Sequence, residues 1–389
     1  GYVAQQVQNG IRRQSVHGAT VSHPGAVSMI GSPRNLNHEP RTPTVAGMAR
    51  LRRVSPQMKG WTRRRVGKGF AYLDSDGARL PKEDVERIRG LAIPPAWPDV
   101  WICPWPNGHI QAIGTDAAGR RQYLYHPVWR AKRDELKFDR VKGAGTRLAK
   151  ARERIIGDLR AEGMPLARAA ATATRLLDLG YFRIGSDAYT DANGSFGLTT
   201  LERRHVRRRG QDLVFSFVGK SGIEHSITIS DPHVIESLNL MRKRRGGSTR
   251  LLAYRGQARW ADLDASAVNA YISEMVAEDL TAKDFRTWHA TVLAAVALAE
   301  SPERGDTKAS QKRAVKAAVE EVSAYLGNTP TIARKSYIDP RVIDQYEAGV
   351  TVAGTLAKKY RDDTARQAAI EKAVGRLIDG ADGPVARSR

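Results

Sequence analysis

The stretch "LTTLERRHVRRRGQDLVFSFVGKSGIEHSITIS" occupies residues 198–230. It divides into "LTTLERRHVRRRG", "QDLVFSFVGKSG" and "IEHSITIS", three segments with strand patterning in which Gly210 and Gly222 close the first two. Lys220 then falls at the tip of the second hairpin. On both sides the apolar period is helical instead. "TRLAKARERIIGDLRAEG" (146–163) and "LARAAATATRLLDLGYF" (166–182) precede the stretch, while "SAVNAYISEMVAED" (266–279) and "KASQKRAVKAAVEEVSAYLG" (308–327) follow it. A mainly helical module over 136–389 with a three-stranded insert is the expectation.

Upstream of that module the pattern is β. "FAYLDSDGARL" (70–80) carries the Asp-Gly of a hairpin turn. "VWICPWPNGHIQAIGTDAAGRRQYLYH" (100–126) alternates apolar runs with Asn-Gly and a glycine-bounded loop, as in a small antiparallel sheet. Residues 46–135 therefore read as a β-rich module that opens on a strongly basic stretch, including Arg50, Arg52, Arg53, Lys59 and Arg63 to Arg65. Residues 1–45 are rich in Ser, Gly, Pro, Asn and His and are expected to be a disordered basic tail. The class is α+β.

The chain of 389 residues carries 63 Lys and Arg against 41 Asp and Glu, a formal charge of +22. Such an excess attracts polyanions. No apolar run reaches the roughly 18 residues of a membrane span, which favours nucleic acid over an anionic membrane. Cys103 is the sole cysteine, which excludes a disulfide framework and a cysteine zinc site and fits a cytoplasmic setting. No apolar leader is seen near Gly1, so no secretory signal is expected. Residues 1–38 hold Arg12, Arg13 and Arg34 and no acid, a transit-peptide composition that a disordered tail also explains.

Several motifs are weaker than they look. "GKS" (219–221) ends like a phosphate-binding loop. That motif needs Gly where Val214 stands and a helix where "IEHSITI" reads as a strand, so nucleotide binding is not expected. The nine histidines, among them His205, His225 and His289, show no metal-ligand spacing, and no acidic cluster suggests a two-metal site. If phosphate chemistry occurs, cationic side chains must stabilise the charge. Three segments supply them. "YFRIGSDAYTDANGSFGLTTL" (181–201) puts Arg183 between an apolar helix and a polar turn. "TAKDFRTWHATVLAAVALAE" (281–300) puts Arg286 near a helix start, where a cation opposes the dipole; Thr281 is the expected N-cap, with Asp284 three residues on. "LGNTPTIARKSYIDP" (326–340) ends a helix at Gly327, restarts at Thr329-Pro330 and presents Tyr337 on the next short helix. Taken singly, these read better as a solvated Arg, an ordinary capping turn and a packed Tyr.

Together they resemble the type IB DNA topoisomerases, in particular the compact poxvirus and bacterial branch. The resemblance covers roughly residues 50–375 and rests on an ordered set: Arg183 in "FRIGSDAY", Lys220 in "FVGKSG", Arg286 in "KDFR", Asn328 in "LGNTP" and Tyr337 in "KSYI". "IPPAWPDVWIC" (93–103) and "GRRQYLYHPVWR" (119–130) extend it into the N-terminal module. It implies nicking of duplex DNA by Tyr337 through a 3′-phosphotyrosyl intermediate, relaxation of positive and negative supercoils by strand rotation, and religation without ATP. Arg183 and Arg286 would hold the phosphate, Lys220 would protonate the leaving oxygen and Asn328 would orient a phosphate oxygen. No nucleotide or metal cofactor is implied. Arg120, Gln122, Tyr123, Tyr125 and Tyr189 match DNA-contacting positions, and a monomer closing as a clamp on nucleoid DNA is the expected form. Asn328 replaces a more frequent His, and Thr115 stands where "GRD" is expected, which puts one phosphate contact in doubt.

Two rivals share the charge. Tyrosine recombinases usually place His three residues before the helical Arg, where this chain has Lys283, and their N-terminal module is usually helical. A non-catalytic DNA-binding protein leaves the ordered five residues unexplained.

Overall fold

The computed structural model describes residues 50–381 except 118, 181, 186, 188, 189, 191–193 and 304–306. Tyr189 and the 1–45 tail lie outside the described residues. The described chain falls into two compact units, the first ending at Lys137 and the second beginning at Phe138.

The first unit is built on a five-stranded antiparallel sheet. Its strands are β1 (Trp61–Val66), β2 (Gly69–Leu73), β3 (Trp101–Ile102), β4 (Ile110–Thr115) and β5 (Arg121–Tyr125), in the order β2-β1-β3-β4-β5. β1 corrects the reading of "WTRRRV" as merely a basic stretch. The tight turn joining β1 to β2 lies at Gly67-Lys68. The expected Asp-Gly turn folds residues 78–80 back on the end of β2, with Leu73 bridged to Arg79. Alternation along β3 and β4, with a bulge between Ile110 and Ala112, separates two small apolar clusters. One contains Ile88, Ile93, Val100, Ile102 and Ala112, and the other contains Val54, Cys103, Ile110 and Ile113. Helix α1 (Lys82–Gly90), absent from the sequence reading, supplies Ile88. Arg63 ties down the following loop by donating to the carbonyls of Ile93, Pro94 and Trp97 at 3.2, 2.6 and 2.9 Å.

Helix α2 (Pro127–Gly145) begins nine residues before the expected helical module. The second unit continues with α3 (Leu148–Leu159), α4 (Leu166–Asp178), the strands β6 (Val206–Arg209), β7 (Asp212–Val218) and β8 (Glu224–Ile229), and α5 (Pro232–Lys243). A short hairpin, β9 (Ala253–Arg255) with β10 (Trp260–Asp262), leads to α6 (Ala265–Met275), α7 (Ala282–Glu300) and α8 (Lys308–Leu326). Four more helices complete the unit: α9 (Pro330–Ser336), α10 (Pro340–Glu347), α11 (Ala353–Leu356) and α12 (Asp363–Ile378). The three-stranded insert forms in the order β6-β7-β8, with two 3₁₀ turns replacing the first half of the expected leading strand.

α7 is the central helix, buried from Asp284 through Val296 and packed against α4, α6, α8, α10, α11 and α12. Each large apolar side chain buried there stabilises the unit by about 1.5–3 kcal/mol. At the end of α4 the buried Asp178 accepts from Arg152 at 2.7 and 2.8 Å and from Arg175 at 2.7 Å. Arg152 also reaches Glu371 of α12 at 2.7 and 2.8 Å. Burial alone would raise the Asp178 carboxyl, but these guanidiniums hold it well below the usual carboxylate range. The network fixes the register of α4, whose C-terminal end leads directly to residue 183. Among the described residues no helix is long and apolar enough to cross a membrane.

Candidate active site

Arg183 follows α4 in an extended segment held by its own backbone. Its carbonyl accepts from the Leu198 amide at 2.7 Å, and the Ile184 carbonyl accepts from the Thr199 amide at 2.9 Å. Lys220 lies exposed in the 3₁₀ turn joining β7 to β8, so "GKS" forms a hairpin tip. Arg286 lies in the first turns of α7 and is only 6% exposed. That helix start is secured by Asp284, whose Oδ2 accepts from the Thr281 amide at 2.9 Å and the Thr281 hydroxyl at 2.7 Å, while its Oδ1 accepts from Arg140 at 2.8 Å. The Thr281 hydroxyl thus donates to Asp284 where a capping residue would ordinarily accept.

Arg183, Lys220 and Arg286 line one pocket with Phe196, Phe217, Gly219, His225, Tyr325 and Leu326. The organiser of this pocket is the C-terminal end of α8. Gly327 closes that helix in the left-handed region, at φ 61°. The reversal leaves the last carbonyls without helical partners. Arg286 Nη2 donates to the Leu326 carbonyl at 2.6 Å. Arg183 Nη2 donates to the carbonyls of Leu326 and Gly327 at 3.2 and 3.1 Å, and to Asn328 Oδ1 at 2.9 Å. Because a guanidinium offers only donors, it also decides which end of the Asn328 amide faces it.

Two donors remain. Asn328 Nδ2 and Arg286 Nε are buried with no acceptor in the protein. An orphaned buried donor ordinarily costs about 1–3 kcal/mol, and such groups concentrate where a ligand completes the set. Burial pushes the Arg286 guanidinium down from its ordinary value to about 10, and the Arg183 charge pushes the same way, while Tyr337 opposes both. An arriving anion would relieve both pressures.

Tyr337 stands just past the last turn of α9, so the expected placement on that helix is corrected to its C-terminal edge. Its half-buried ring centre is 5.9 Å from the Arg286 guanidinium carbon. Thr291 of α7 fixes the segment, its hydroxyl proton shared between the Thr287 carbonyl at 2.9 Å and the Tyr337 carbonyl at 3.2 Å and its oxygen accepting from the Asp339 amide at 3.1 Å. Three cations, an amide donor and a phenol converge from five parts of the chain.

The model for the catalytic core of eukaryotic DNA topoisomerase I matches residues 126–364, and that for the N-terminal domain of bacterial DNA topoisomerase IB matches residues 69–116. The chain belongs to the type IB DNA topoisomerases. DNA topoisomerase 1B of Acanthamoeba polyphaga mimivirus is 28% identical over 298 residues, 75% of this chain and 88% of the viral protein. DNA topoisomerase I of Monkeypox virus is 21% identical over 236 residues, 60% of this chain and 71% of its own length. DNA topoisomerase 1 alpha of Arabidopsis thaliana is 28% identical over 170 residues, 43% of this chain and 17% of the plant protein. The enzyme is an isomerase whose substrate is DNA.

The first unit of the topoisomerase carries the remaining candidates at the edge of its sheet. Tyr123 and Tyr125 project from one face of β5, 40% and 44% exposed, with rings stacked 5.9 Å apart. Gln122 points to the other face and donates to Asp116 Oδ2 at 2.9 Å. Arg120 donates to the same carboxylate at 2.9 Å and keeps most of its side chain exposed. Among the described residues, no group of three or more His, Cys, Asp or Glu side chains is placed to hold a metal ion. Sequence reasoning missed Tyr325 and His225, which line the pocket. A His five residues after a hairpin-tip Lys, on the returning strand, was the available signal.

Proposed function

We propose that Tyr337 is the nucleophile of this topoisomerase and that it forms a 3′-phosphotyrosyl link in one strand of duplex DNA. The phenol oxygen attacks phosphorus, the 5′-oxygen leaves, and the reverse attack reseals the strand. Splitting the exchange into two displacements keeps the bond energy in the adduct, so ligation needs no nucleotide. Arg183 and Arg286 clamp the non-bridging oxygens as negative charge develops, each contributing on the order of 3 kcal/mol. Asn328 donates through Nδ2 to one of those oxygens, since its Oδ1 is already engaged. Lys220 gives its proton to the leaving alkoxide. The free 5′ strand then rotates, relaxing supercoils of either sign.

The observation that carries this reading is the pair of unsatisfied donors, on Asn328 and Arg286, buried in a site with Tyr337 at hand. In the first unit, Arg120, Tyr123 and Tyr125 supply grip on the duplex, and Gln122 supports it from the opposite face. The chain acts as a monomer on nucleoid DNA in the cytoplasm, a setting that suits its charge of +22. Relaxation of plasmid DNA in EDTA without ATP tests the scheme. Full activity is expected, and activity that stops in EDTA and returns with magnesium would overturn a mechanism built on cationic side chains.

A further inference from the structure

Lys220 presents a problem of placement. It is exposed at a hairpin tip, whereas Arg183 and Arg286 are held by the turn after α8. A proton donor on a hairpin tip must share a frame with the phosphate clamp to meet the leaving oxygen. The imidazole of His225 lies where the two parts meet.

His225 is the direct cross-strand partner of Phe217, and their rings stack at 5.1 Å with 24° between planes. Phe217 stacks in turn on Phe182, 6.1 Å away and 12° from parallel, and Phe182 is the residue before Arg183. The other edges of the imidazole face two glycines. A Cβ on Gly219, beside Lys220, would sit 2.6 Å from both Cδ2 and Nε2 of His225. A Cβ on Gly327 would sit 3.8 Å from His225 Cε1 and 4.0 Å from Arg183 Nη1. The ring therefore fills the space between the backbone that carries Lys220 and the turn that carries Asn328. It lines the same pocket as the three cations.

We infer that His225 is a positioning residue that locks the Lys220 hairpin against the Gly327 turn, so that the proton donor and the phosphate clamp share one frame. This rests on the reading of Lys220 as the general acid. Its stacking on Phe217 and its packing between the two glycines hold the ring in that place. Aromatic pairs of this kind contribute roughly 0.5–1.5 kcal/mol beyond their burial, enough to bias a hairpin between docked and undocked positions.

Single-turnover cleavage by full-length variants tests the inference on two duplexes, one normal and one with sulfur at the bridging 5′ position. A thiolate leaves without needing a proton, so the difference between the two substrates reports on the acid alone. His225→Ala is expected to slow cleavage of normal DNA by about 10–100-fold, part of the 10²–10⁴ that a general acid supplies, and to recover most of that rate on the sulfur substrate. Gly219→Ala, which displaces the ring from the other side, should show the same recovery. His225→Phe, which keeps a stacked ring, should retain more of the normal-DNA rate than His225→Ala. Lys220→Ala with His225→Ala should be scarcely slower than Lys220→Ala. If Lys220→Ala is rescued by sulfur but His225→Ala is slowed equally on both substrates, or not at all, His225 does not position the acid. If Lys220→Ala itself is not rescued, the acid assignment falls and the role of His225 falls with it.

Discussion

The two units treat their functional side chains in opposite ways. In the first, Tyr123 and Tyr125 stand exposed on an edge strand with their rings stacked on each other. That sheet rests on two small apolar clusters. In the second, Arg286 is buried in the central helix, Arg183 makes three contacts through one nitrogen, and Tyr337 is fixed through Thr291. A surface that grips a duplex of any sequence gains from side chains that can adjust. Transition-state stabilisation gains from donors that are already in place and need no reorganisation. The contrast predicts that damage to the second unit will appear in rates and damage to the first in affinity.

The largest effect is expected at Tyr337. Tyr337→Phe should eliminate relaxation and the covalent adduct while leaving duplex affinity nearly intact. A denaturing gel that still shows the adduct would move the nucleophile elsewhere. Arg286→Ala comes next: single-turnover cleavage at saturating DNA should slow about 10²–10³-fold, the cost of losing one preorganised donor, with little change in affinity. A loss confined to affinity would erase the distinction between the units.

Asn328 gives a smaller, graded test. His should substitute tolerably because a neutral imidazole also offers an N–H, whereas Ala should slow cleavage about 10–100-fold. Asp, which has only acceptors when ionised, should be worse than Ala. If Asp matched the parent while His was inactive, the donor role would be wrong. The smallest effect is expected from Arg120→Ala. Its removal should lower the slope of log affinity against log salt by about 1 and leave cleavage at saturation unchanged. A rate defect at saturation would place Arg120 in the chemistry.

Much of this was legible in the sequence because the chemistry is local in type and ordered in the chain. Gly327 marked the end of α8, Thr281 and Asp284 marked the start of α7, and Lys220 at a hairpin tip followed from strand patterning. Other features were hidden for physical reasons. β1 was masked because Arg63, Arg64 and Arg65 look like a solvated run, although Arg63 turns inward to bond three carbonyls. The link between Arg152 and Glu371 spans 219 residues and leaves no periodic trace. Gln122 was grouped with Tyr123 and Tyr125, yet strand alternation sends it to the opposite face. His225 looked like a surface residue because only the β7–β8 register places it against Phe217.

The end of α8 has an electrostatic consequence. Two guanidiniums sharing one carbonyl ought to drive each other apart. The aligned peptide dipoles of a 19-residue helix concentrate about half a negative charge at its C-terminus, and that end is where Arg183 and Arg286 meet. The helix thus acts as a resident counterion that holds the cations together, a place that a phosphate takes over in the proposed mechanism. Loosening the last turn, as any side chain strained into the left-handed geometry of Gly327 would do, weakens that counterion without removing a single group that touches DNA.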